Sequence, residues 1–172
     1  MAGRRRRKTT IGGQFAPRLI EMINCPGFRV LSLSARRILD RLEIEHGSHG
    51  GTDNGKLPCT YDDFERYGIH RHAISPAIRE AVALGFIEVT EKGCAGNAEH
   101  RSPNLFRLTY RPTDYAKETD EWRRIDTIER ANIKAAAARK RVYQAGGKKQ
   151  KPSGGKRRVS VMENNTENSN LQ

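Results

Sequence analysis

The sequence predicts an α+β fold: helices first, then a two-stranded hairpin, with an N-terminal helix, a C-terminal helix and disordered basic tails around them. Three observations predict it. Apolar residues recur at helical spacing through residues 34–46 and 69–84. Two β-rich runs, FIEVT (86–90) and NLFRLTY (104–110), flank thirteen residues of turn formers and charge, EKGCAGNAEHRSP. The net charge of +12 is confined to the ends.

Residues 1–13 are basic and Gly-rich and read as a disordered arm. A short helix is expected over 17–24, with Pro17 suited to the first helical position. Cys25-Pro26-Gly27 should then break the chain. Ser34 is placed to cap the next helix, 34–46, where Ala35, Ile38, Leu39 and Leu42 form an apolar stripe and Gly47 supplies the stop. The turn-rich GSHGGTDNGK leads to KLPCT (56–60), long enough for one short strand. Thr60 and Asp63 have the spacing of a capping box. They open a helix of two turns with Phe64 and Tyr67 facing inward, ended by Gly68. A second helix follows at once, and then the hairpin. Residues 111–119 link to a last helix, 120–145, capped by Thr119. Asp120 and Glu121 suit its N-terminal dipole and Arg139 to Arg141 its C-terminus, while Trp122, Ile125, Ile128 and Ile133 could dock its first half. AAAARKR (135–141) is too weakly apolar to bury much and should project into solvent. The chain thus divides into an arm (1–13), a domain (14–112), a linker with the C-terminal helix (113–145) and a disordered tail (146–172).

Helix, strand, helix, tight turn, helix, hairpin is the element order of a winged helix domain. In the helix after the turn, a spacing of about 100° per residue puts Ile74, Ile78, Ala81 and Val82 on a core face. His72, Ser75, Pro76 and Arg79 lie opposite, with Arg71 on one flank. The outer face carries donors with reach and no large apolar residue, which suits contact with base edges and phosphates in a major groove. At the hairpin tip, Lys92, His100 and Arg101 could meet a minor groove or phosphates.

DDFERYGIHRHAISPAIREAVALGFIEV resembles the helix-turn-helix of bacterial winged helix DNA-binding proteins. The matching features are Gly68-Ile69 at the turn, a polar helix over 70–79, and Leu84-Gly85-Phe86-Ile87 leading into the wing. Upstream, LSLSARRILDRL and DNGKL resemble modules from plasmid, phage and integrated-element proteins, including alphaproteobacterial ones. The resemblance spans residues 28–110. It implies double-stranded DNA as partner and puts Arg71, His72, Ser75 and Arg79 at recognition-helix positions. The leading expectation for its role is transcriptional regulation, with a replication or recombination accessory factor on a mobile element as the alternative; the folded domain looks alike for both. Pro76 departs from the pattern, because a long polar residue is common there. Either the helix kinks at Ser75-Pro76, or it starts there with Ser75 as its cap. Both alternatives leave Arg79 exposed.

The charge distribution fits a polyanion. Residues 4–8, from Arg4, Arg5, Arg6 and Arg7 through Lys8, add five positive charges, and residues 9–138 balance at 18 basic against 18 acidic. No apolar run is long enough to span a membrane, and no secretory leader is evident at the N-terminus, so a cytoplasmic, nucleoid-associated protein is expected. Cys25, Cys59 and Cys94 are too widely spaced for a zinc pattern and read as free thiols. His46-x-x-His49 and His70-x-His72 sit on different elements with no fourth ligand in view, so no metal or other cofactor is expected. No nucleophile elbow, phosphate loop or metalloprotease signature occurs, so no enzyme and no small-molecule ligand are called. Protein binding and RNA binding remain rival readings of the outer face. The helix over 120–145 is the candidate interface for a homodimer.

Overall fold

The computed structural model describes residues 12–94 and 102–140. Arg4 to Arg7, His100 and Arg101, for which DNA contacts are expected, and the tail beyond 140 lie outside them.

The first helices are shorter and more numerous than expected. α1 (Ile20–Asn24) starts three residues after Pro17, and Pro26 does not end helical structure but restarts it as α2 (Pro26–Val30). Cys25 between them is extended, and its sulfur accepts the Phe28 N–H at 3.3 Å. Proline at a first helical position loses nothing, since that N–H has no intrahelical partner.

α3 (Leu33–Ser48) is capped by Ser32, not Ser34. The Ser32 hydroxyl accepts the Ala35 N–H at 3.2 Å. What selects Ser32 is remote: its own N–H and hydroxyl both donate to Glu80, each at 2.8 Å. Ala35, Ile38, Leu39 and Leu42 are fully buried, as their spacing predicts.

β1 (Leu57–Cys59), β2 (Ile87–Glu91) and β3 (Asn104–Leu108) form a three-stranded antiparallel sheet in the order β1-β3-β2. Leu57 and Val89 both pair with Phe106, and the β2–β3 ladder bulges between Val89 and Glu91. Phe106 stands edge-on to Phe64 at 5.9 Å, and Phe86 edge-on to Phe28 at 5.8 Å, which joins the sheet to the helices.

Asn54 holds the end of this sheet from inside the loop before β1. It is buried; its Oδ1 accepts the Leu108 N–H at 2.8 Å, and its Nδ2 donates to the Leu108, Arg111 and Pro112 carbonyls at 2.9, 2.9 and 3.1 Å. Asn54→Leu is expected to destabilise the domain by about 3 kcal/mol, because it orphans several buried backbone groups at once. A urea titration followed by circular dichroism measures this.

The C-terminal region departs most from expectation. Instead of one helix over 120–145, a 3-10 turn (Glu121–Arg124) precedes α6 (Ile128–Lys140). Asp120 adopts a left-handed conformation (φ 45°), and its carboxylate accepts from Trp122 Nε1 at 2.9 Å and Arg123 Nε at 3.1 Å. Thr119 caps nothing; its N–H donates to the Thr109 carbonyl. Thr127 caps α6, its hydroxyl accepting the Arg130 N–H. Trp122 and Ile125 are buried as expected, but Ile133 is 69% exposed. α6 packs on α2 and α5 through Ala131 and Ala135, so the alanine-rich stretch docks instead of projecting. Small side chains permit that close approach.

Candidate nucleic-acid interface

The pair α4 (Tyr61–Arg66) and α5 (Arg71–Ala83) is built by local chemistry. The Thr60 hydroxyl accepts the Asp63 N–H at 3.1 Å, and the Asp63 carboxylate accepts the Thr60 N–H at 2.8 Å, completing the predicted capping box. Burial alone would raise the Asp63 pKa, but hydrogen bonds from Thr60 and Arg66 outweigh it and bring it down to about 2. A pKa depressed on folding stabilises fully above the unfolded value of 3.8, and that contribution is lost as pH falls through about 2. Asp63→Ala is therefore expected to cost about 1 kcal/mol at neutral pH. The difference from the native chain should shrink in acid unfolding titrations between those two pH values.

Gly68 makes the turn at φ +90°, and its carbonyl accepts from Arg37 Nη1 of α3 at 2.6 Å. Tyr67, expected to face inward, is exposed, and Ile69 fills the core position instead. α5 then runs unbroken from Arg71 through Pro76, so the helix does not start at Ser75-Pro76. Pro76 has no N–H, which leaves the His72 carbonyl without its intrahelical donor.

The buried face of α5 is Ile74, Ala77, Ile78 and Ala81, together with Glu80. Val82, assigned to this face from the sequence, is 41% exposed. On the outer side Arg71 and His72 are exposed, as expected. The His72 ring stacks on that of His70 at 5.6 Å. Arg71 Nη1 donates to Asp62 at 2.6 Å and to Glu65 at 3.0 Å, contacts that raise its pKa. Acidic α4 thus holds this guanidinium at the rim of the helix pair.

Arg79 is a correction. Its expected exposure is contradicted: the residue is half-buried and its guanidinium is engaged. Nε donates to the Ala138 carbonyl at 2.9 Å, Nη2 to the Arg139 carbonyl at 3.3 Å, and Nη1 to Ser75 Oγ at 2.6 Å. Ser75, also half-buried, is occupied by that contact. The first turns of α5 are therefore open, while its later turns are covered by α6. Lys92 is exposed just beyond β2, on the same chain segment as the hairpin.

Four residues have roles here that the sequence does not reveal: His70 beside His72, Arg37 under the turn, and Glu80 with its partner Arg139. For Glu80 the available signal was an acid within the apolar run AIREAVALG. Nothing local names its partners.

The described residues hold 19 Lys and Arg against 17 Asp and Glu, a net of +2. Burial pushes the Cys59 thiol up to about 12, and all three cysteines are free. His49 lies between Glu45 and Asp53, 3.3 Å from each, and burial holds His46 below its ordinary pKa. Among the described residues no group of three or more His, Cys, Asp or Glu could hold a metal ion, and no helix is long and apolar enough to cross a membrane.

Compared with protein-family models, with curated proteins and with solved structures, the chain matches none.

Proposed function

We propose that the chain is a winged helix protein that binds double-stranded DNA, with α5 as the element facing the major groove and transcriptional regulation as its role. One observation carries this reading: a helix–turn–helix pair backed by a β1-β3-β2 sheet leaves the start of its second helix open, with Arg71 and His72 on the outer edge. A helix end of that kind fits a major groove, where guanidinium and imidazole donors can reach base edges or phosphates. The near-neutral domain supplies little long-range attraction. The basic ends, with five Lys and Arg in residues 4–8 and seven in 141–158, supply that part.

Arg71 is the residue on which the reading turns. Its counter-charges Asp62 and Glu65 face the same side, so Arg71→Ala removes a cation and leaves acidic α4 without it. Binding of duplex DNA should weaken by about 1–3 kcal/mol, with relaxed preference at one base pair. Fluorescence anisotropy on a set of single-base variants measures both. Unchanged affinity would remove α5 from the interface. The broader test is in-vitro selection from random duplex DNA at fixed salt. Enrichment of a defined site supports the proposal, and recovery of random sequence overturns it. A genome-wide map of bound sites then separates promoters from the clustered repeats that a replication accessory would occupy.

A further inference from the structure

α6 and α5 are joined by a reciprocal exchange. Arg79 of α5 donates to the carbonyls of Ala138 and Arg139 of α6. In return Arg139 reaches Glu80 of α5 at 2.9 Å. Glu80 is fully buried and also accepts the Ser32 N–H and hydroxyl. Every acceptor of Arg79 is neutral: two carbonyls and the Ser75 hydroxyl.

The apolar support of α6 is thin. Ala131 and Ala135 are its buried side chains, and Ile133 points to solvent. The preceding segment is the opposite, with Trp122 at 2% and Ile125 at 4% exposure. α6 can therefore part from α5 while Trp122 and Ile125 stay seated, turning about Asp126 and Thr127, both exposed.

We infer that α6 is a clasp that duplex DNA opens: a DNA phosphate takes Arg79 from the α6 carbonyls, and α6 leaves the later turns of α5. This rests on the reading of α5 as the DNA-facing helix. The exchange is favourable at Arg79, because a hydrogen bond to an ionised oxygen is roughly twice as strong as one to a neutral acceptor. It is opposed by the Arg139–Glu80 pair, which makes the clasp a threshold. Coupling is reciprocal, so whatever loosens α6 tightens DNA binding by the same factor.

Two measurements on the full chain test this. The first is hydrogen exchange with and without saturating random-sequence duplex DNA at low salt, with saturation checked by anisotropy. Residues 128–140 should exchange about ten-fold faster with DNA, while Leu57–Cys59 and Asn104–Leu108 stay protected. Unchanged or slower exchange at saturation overturns the clasp alone, whereas no anisotropy change at any DNA concentration overturns the DNA reading beneath it. The second compares Arg139→Gln with Lys140→Gln, which removes an equal charge at the neighbouring exposed position. As a clasp residue, Arg139 opposes binding, so Arg139→Gln should bind duplex DNA about five-fold more tightly than Lys140→Gln. Equal or weaker binding would mean Arg139 acts only as a counter-charge.

Discussion

Gly85→Ala is expected to destabilise the domain by about 4–5 kcal/mol. Gly85 sits at φ +78°, in the left-handed region that costs a residue with a Cβ about 1–2 kcal/mol. An added Cβ would lie 2.8 Å from the Glu121 carbonyl carbon and 2.9 Å from both the Glu121 oxygen and the Trp122 nitrogen. These are backbone atoms, and no rotamer change can clear them. The peptide must shift and take the buried Trp122 with it, a loss on the scale of about 3 kcal/mol or more for displacing a large core side chain. Against a typical total of about 5–15 kcal/mol, that sum is about a third or more of the stability. Thr109 adds to the sensitivity, since its hydroxyl donates to the Gly85 carbonyl at 2.7 Å. Trp122 is the single tryptophan, so its fluorescence reports the event directly during a urea titration. A midpoint equal to that of the native chain would mean the helix–strand junction does not approach the Glu121–Trp122 peptide so closely.

The parts of the fold legible in the sequence are those whose causes are local. Thr60 and Asp63 lie three residues apart and satisfy one another, so the start of α4 needs no information from elsewhere. The stripe Ala35, Ile38, Leu39 and Leu42 is read by period alone, and so are the strands on either side of the hairpin tip. The misplaced features have distant causes. Ser32 and Ser34 are equally good caps by sequence, and Glu80, 48 residues away, decides between them. The C-terminal helix reads as continuous from 120 because helix formers dominate there, yet Asp120 turns left-handed to hold Trp122 and Arg123. Alanines offer little apolar area and so read from sequence as weakly buried. That small size is what lets α6 lie against α5. The same contact changes the candidate interface, since a helical wheel shows that Arg79 faces away from the α5 core face but not that another helix waits there. Arg71 and His72, at the start of α5, are exposed, as their positions on the wheel imply.

Removing residues 1–8 and 146–172 is expected to weaken duplex binding at every sequence while leaving preference between sequences intact. The two deletions take away eleven Lys and Arg, five from the first segment and six from the second, and leave a core whose described residues net only +2. Each phosphate neutralised contributes about −0.9 to the slope of log affinity against log salt, so even half of those cations in contact give a slope near −5. For the full chain, raising salt from about 50 to about 200 mM should then cost about a thousand-fold in affinity, and the shortened chain should lose only a small part of that. Preference has a different source. A base pair read by a side chain is worth about 1–3 kcal/mol, and that term depends on the geometry at α5, not on the number of phosphates neutralised. Anisotropy titrations at several salt concentrations, on a selected site and a scrambled one, separate the two terms. An unchanged slope would show that the ends do not touch DNA. A slope that flattens together with loss of preference would move recognition itself into the ends, and Arg71 would then be a rim contact without a reading role.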